Sequence, residues 1–103
     1  MNSDLLRQAI HEKWQVSAYY DGHPRQFCPY AIGYRNGEER VLVYQIGGSS
    51  RNGPVRAQWK CFVVSNLSSV KLLNQDTWPI SIIINITEQL QQCIATVTAQ
   101  ASF

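Results

Sequence analysis

The residues of this chain best suited to chemistry are three cations, Arg25, Arg56 and Lys60. They are interspersed with three rings, Tyr20, Tyr44 and Trp59, and two amides, Gln45 and Asn66. An arginine fork donates two parallel hydrogen bonds and so matches phosphate. Rings set between cations can stack nucleobases while the cations hold the backbone. This set describes a binding surface for a nucleotide or a single-stranded nucleic acid. The competing reading is simple: aromatic residues on strands bury large apolar areas and need no ligand to explain them. Both readings stand for each of these residues.

Catalysis finds no comparable grouping. His11 falls on the polar side of a predicted helix and His23 in a turn, and neither has a nucleophile beside it in sequence. Cys28 and Cys61 fall in predicted strands and read as inert core thiols. Asp21 precedes Gly22 and reads as turn chemistry. Gly47-Gly48-Ser49-Ser50 lacks P-loop spacing, and no Lys-Ser/Thr pair follows it. Three widely spaced cysteines, with no CxxC and no Cys/His cluster, argue against a zinc site and against a disulfide framework. The expectation is a non-catalytic protein with no cofactor and no metal.

The elements that must carry these residues are mostly strands. Leu5, Leu6, Ala9, Ile10 and Trp14 form one apolar stripe of a helix over 4–14, capped by Ser3 or Asp4. Strands follow over Gln15–Tyr20, Gln26–Tyr34 and Arg40–Ile46, separated by the turn residues Asp21-Gly22 and Asn36-Gly37. Pro29 cannot donate to a ladder, so it marks an edge or a bulge. Gly47–Pro54 reads as a flexible loop, Gln58–Ser65 as a fourth strand, 66–69 as a one-turn connector and Ser69–Leu73 as a fifth strand. Short strands at this spacing predict a mainly β fold with flanking helices, a small SH3/Sm-like barrel over 1–76. Residues 77–103 read as a strand–helix extension, packed on the same domain or on a partner subunit. Ile80, Ile82, Ile84 and Ile86 alternate as an uncharged sixth strand that must be covered. A helix capped by Thr87 then places Leu90, Ile94 and Val97 on one face. Residues 80–97 are thus a candidate homodimer element, and a protein-interaction adaptor is the alternative to ligand binding.

At 103 residues, with 45% hydrophobic and 16% charged residues, one globular domain is expected. The start has no basic segment followed by an apolar run, and no stretch approaches the roughly 20 apolar residues of a membrane span. These features predict a cytoplasmic protein without membrane contact. Net charge is only +2, but between Gly22 and Lys71 seven cations face two anions, a local excess of +5. Such a field attracts phosphate, although cations on exposed strand edges also serve to discourage aggregation.

Over residues 5–73 the chain resembles the WYL domain family. The resemblance runs through Leu5-Leu6-Arg7-Gln8-Ala9-Ile10, Val16-Ser17-Ala18-Tyr19-Tyr20-Asp21-Gly22 and Arg25–Gly33. Val41-Leu42-Val43-Tyr44-Gln45 falls where the family carries its Trp-Tyr-Leu, and Trp59–Leu67 where it carries an Arg-x-Phe-x-Leu-Asp-Arg-Ile type segment. The resemblance implies an SH3/Sm-like barrel and ligand sensing in bacterial regulators, with single-stranded DNA among the ligands. Its matching positions are Tyr20, Arg25, Lys60 and Asn66. The chain departs from the family where the Trp-Tyr-Leu is absent and where Ser65-Asn66 replaces Asp-Arg, removing one cation. Phosphate affinity follows the number of cations engaged, so this departure bears directly on nucleic-acid binding.

Overall fold

The computed structural model describes residues 2–50, 53–54, 58–77 and 86–101, with side chains described over 2–47, 58–73 and 86–101. The elements run α1 (Asn2–Glu12), β1 (Trp14–Tyr20), β2 (His23–Arg35), β3 (Glu38–Ser50), β4 (Gly53–Pro54), β5 (Gln58–Val63), a 3-10 turn (Val64–Asn66), β6 (Leu67–Thr77), α2 (Ile86–Cys93) and β7 (Thr96–Gln100).

Two tight turns set the register of the first three strands. Asp21-Gly22 and Asn36-Gly37 all have positive φ, 52° and 79° in the first pair, 54° and 77° in the second. Two consecutive positive φ values are the signature of a type I′ hairpin turn, whose twist matches that of the flanking strands. The pairings that result are Tyr20 with His23 and Arg35 with Glu38. β3 then lies along one edge of β2. The opposite edge of β2 is shared, with β1 against its first half and β7 against Ala31–Tyr34. β5 lies on the far side of β3 and β6 on the far side of β1. Among the described residues β5 and β6, joined through the 3-10 turn, do not pair, so the sheet is not closed into a barrel.

Several sequence expectations are corrected. The first helix begins at Asn2 and ends at Glu12, because Trp14 opens β1; Leu6, Ala9 and Ile10 are its buried stripe. Ser3 therefore lies within the helix and donates to Glu39 instead of capping. Gly47–Ser50 is strand, not loop: Gly47 and Gly48 pair with Gln26 and Arg25, and Ser49-Ser50 pair with Pro54 and Gly53. Pro29 does accompany a register shift in the β2–β3 ladder. α2 stops at Cys93, so Ile94 lies beyond the helix and Val97 belongs to β7. Residues 80–85 of the expected isoleucine strand lie outside the described residues, and Ile86 is already helical.

The core forms where strand alternation directs side chains to the inner face. Val16, Phe27, Ile32, Val41, Val43 and Phe62 are at most 2% exposed. Each such side chain contributes about 1.5–3 kcal/mol when removed from water. Phe27 and Phe62 meet edge-on with centroids 5.5 Å apart. α1 packs against β1, β2, β6 and β7.

The segment 86–101 forms an arm in which β7 extends the sheet at the edge of β2 while α2 packs against β3 and is bonded to β5 through Cys93. β7 approaches β2 so closely that a Cβ on Gly33 would sit 2.1 Å from the Thr96 carbonyl oxygen. Arg35 donates from Nη2 to the Gln91 carbonyl and from Nε to the Cys93 carbonyl, satisfying the free end of α2. A disulfide joins Cys61 on β5 to Cys93, with Cα atoms 5.6 Å apart. This overturns the expectation against a disulfide and the reading of Cys61 as an inert core thiol, while Cys28 is a buried free thiol. The two cysteines are 32 residues apart, and only the placement of the arm brings them together.

Candidate functional site

Arg25 is the feature of the inner face that hydrophobic packing does not explain. It sits on β2 two residues before Phe27, so strand alternation directs both side chains to the same side. Its residue is 8% exposed, and with Gln45 it makes up the buried polar component of the core. The guanidinium carbon lies 5.7 Å from the Tyr20 ring centroid and 5.6 Å from that of Phe62. These two rings stack on each other at 4.3 Å and 26°. A cation near ring faces is attracted by their negative quadrupoles, and more strongly where water is excluded.

Two groups orient this arrangement. Arg25 Nη1 donates to Gln45 Oε1 at 3.1 Å, and Gln45 Nε2 donates to the Gly47 carbonyl at 3.1 Å. Gln45 is completely buried and uses both ends of its amide, so it positions Arg25 and has little left for a ligand. Tyr20 Oη accepts from the Val63 amide at 3.2 Å, which fixes its ring. Among the described residues no acid pairs with this cation. Ion pairs join Arg7 to Glu39 and Arg40 to Glu38, neither of them involving Arg25, and Arg25 Nε is buried with no hydrogen-bond partner among the described residues. A buried charge ordinarily has a paired acid, because desolvation costs several kcal/mol per ion.

The structure separates the sequence-predicted residues. Tyr20, Arg25 and Gln45 come together on the inner face. Lys60 lies opposite Val43 and shares the parity of Phe62, placing it on that face too, half-buried and with no carboxylate partner among the described residues. Tyr44 and Trp59 pair with each other on the opposite face, their rings edge-on at 5.2 Å. There Trp59 also meets Tyr30 edge-on at 6.1 Å, and Gln100 Nε2 of β7 donates to Tyr30 Oη at 2.7 Å. Tyr20 and Trp59 therefore cannot stack on one ligand from the same side. Asn66 is exposed at the end of the 3-10 turn. Arg56 lies outside the described residues. Phe62 is the partner that sequence reasoning missed; its parity with Lys60 was the available signal.

The histidines form no site: His11 is exposed on α1 and His23 opens β2. Among the described residues no group of His, Cys, Asp and Glu could hold a metal, and no helix is long and apolar enough to cross a membrane. Cys28 is a buried free thiol, pushed up to about 12 by burial, and is a poor nucleophile. A cavity of about 430 Å³ opens elsewhere, lined by Asn2, Ser3, Glu39, Val64 and Ser65. Its charged lining is the Glu39 carboxylate, which disfavours phosphate.

No protein-family model matches the chain, and no curated protein matches it. Among solved structures it is similar to proteasome accessory factor B/C (PafBC) of Arthrobacter aurescens, with a TM-score of 0.66 and 17% identity. The match covers 88% of this chain and 14% of that one. The likeness extends to the fold, and the chain spans a small part of that protein's length.

Proposed function

We propose that the chain is a non-catalytic, WYL-like sensing module that binds a phosphate-bearing ligand, a nucleotide or a single-stranded nucleic acid. The single observation that carries this reading is Arg25, a buried guanidinium with an unpartnered Nε and, among the described residues, no acid paired with it. A phosphate would supply the missing anion and acceptor together. Tyr20 and Phe62 keep the cation planar and dry, Gln45 aims it, and Lys60 adds a second charge on the same face. The fold likeness to PafBC supports an SH3/Sm-type ancestry for the sheet. The order of β6, β1, β2, β3 and β5, with the end strands joined by one 3-10 turn, supports it as well.

Labelled single-stranded DNA, RNA and mononucleotides titrated at two salt concentrations test this reading. Binding should weaken as salt rises and fall about tenfold or more in Arg25→Ala, with a smaller loss in Lys60→Ala. Trp59→Ala should leave affinity nearly unchanged, since its ring faces the other way. No binding of any of these ligands at low salt would sink the proposal.

A further inference from the structure

We infer that Cys61 and Cys93 form a thiol–disulfide switch that sets how tightly the arm 86–101 is held against the sheet. The inference is independent of any ligand at Arg25. Four observations carry it. The bond has one open side, since Cys61 is exposed while Cys93 is 2% exposed. Disulfides that solvent thiols can reach are the labile and regulatory ones. The arm has little structure of its own: α2 has eight residues, too few to persist alone, and β7 pairs with β2 at four positions, so its order comes from what holds it to the sheet. The bond lands at the end of α2, where Arg35 holds the Gln91 and Cys93 carbonyls, so one covalent tether and one polar clamp converge on a single point. Finally, Cys28 is buried and stays protonated, which keeps the third sulfur out of exchange.

The chemistry balances with a dithiol as reductant. Its thiolate attacks Sγ of Cys61, the more exposed of the two residues. A new S–S bond forms to Cys61, the bond to Cys93 breaks, and Cys93 leaves as a thiolate that takes up a proton. The second thiol of the reductant then attacks its own sulfur and releases Cys61 as a thiol. The protein gains two electrons and two protons, and the dithiol becomes a disulfide. Freed of the tether, the arm keeps the buried Ile94 and Ala101, the Arg35 clamp, the β7 ladder, the Ala95 and Ala101 amide bonds to the Tyr34 and Tyr30 carbonyls, and the side-chain bonds of Thr98 and Gln100.

The full chain, air-oxidised and then treated with dithiothreitol, provides the test. Alkylation under denaturing conditions should count one thiol before treatment and three after. Amide hydrogen exchange in 86–101, and in the Ala31–Tyr34 segment of β2 that pairs with it, should accelerate about tenfold or more on reduction, while 14–28 and 38–47 stay unchanged. Cys61→Ser, at an exposed position, should show the fast arm without reductant and no response to it. If that variant does not fold, the dithiothreitol titration of the unaltered chain decides alone. Three alkylatable thiols in the air-oxidised protein, or arm exchange that ignores reduction, would overturn the inference.

Discussion

The two faces of the sheet solve opposite problems. The inner face carries a cation left electrically incomplete by the described residues: Arg25 has rings and an amide but no acid among them. The outer face is closed on itself, with Trp59 and Tyr44 ring to ring, Tyr30 bonded to Gln100, and a disulfide over the join. The same strands build both, since Tyr44 and Gln45 are neighbours that point apart. An incomplete face suits a ligand, whereas a completed one suits stability. The lesson is that aromatic and polar residues adjacent in sequence need not share a task.

Breaking the completed face should have the largest effect. Cys61→Ser removes a cross-link over a 32-residue separation and should cost about 2–4 kcal/mol in urea melts of the oxidised protein. Gly33→Ala attacks the same face without touching sulfur. Its Cβ would collide with the Thr96 carbonyl and with Ile94 Cγ2 at 2.6 Å, so the arm must shift, at a cost of about 1–3 kcal/mol. Protection from hydrogen exchange should be lost in 94–100 ahead of the rest.

A third measurement probes the burial that both faces share. Burial raises the Cys28 thiol from 9.0 to about 12, so as pH rises the unfolded chain gives up this proton first. The contribution of the neutral thiol is whole below about pH 9 and is lost as pH climbs through about 12. Cys28→Ala should therefore flatten part of the alkaline decline in stability. Identical slopes for the two proteins in melts across that window would show that the thiol is not held neutral.

The smallest change in stability is expected on the incomplete face, and it is the most telling. Replacing Arg25 and Gln45 together, as Arg25→Met with Gln45→Leu, removes a buried charge and its orienting amide at once. Exchanging both partners for apolar groups of similar shape is about neutral, or stabilising by about 1 kcal/mol. Ligand binding should vanish in the same variant. A large loss of stability would mean that Arg25 is a structural keystone and not a site.

Local chemistry was readable in the sequence where it was self-contained. Asp21-Gly22 and Asn36-Gly37 announced their turns, Pro29 its irregularity, and Leu6, Ala9 and Ile10 their stripe, because each effect lies within a few residues. Arg25 was legible as a candidate, but the lack of an acid partner among the described residues was not, since it is a property of neighbours distant in sequence. The arm was the least legible part. Thr96–Gln100 contains two threonines and a valine that suit a strand, yet helical spacing linked Leu90 to Ile94 and Val97, and only pairing with β2 decides between them. Likewise, an odd cysteine count argued against disulfides, although one pair and one buried thiol satisfy it equally well.

The two I′ turns also have a consequence for the order of assembly. β1, β2 and β3 meet through contacts close in sequence, while β7 must find β2 across more than sixty residues. Local pairings close early and distant ones late, because loop-closure entropy is lower for the former. The hypothesis is that the meander is the folding nucleus and the arm docks after it. Cys61→Ser should then speed unfolding and leave the refolding rate nearly unchanged in stopped-flow experiments; equal changes in both rates would refute it. On a growing chain, Cys61 would stand waiting in finished structure for a partner the ribosome has yet to deliver.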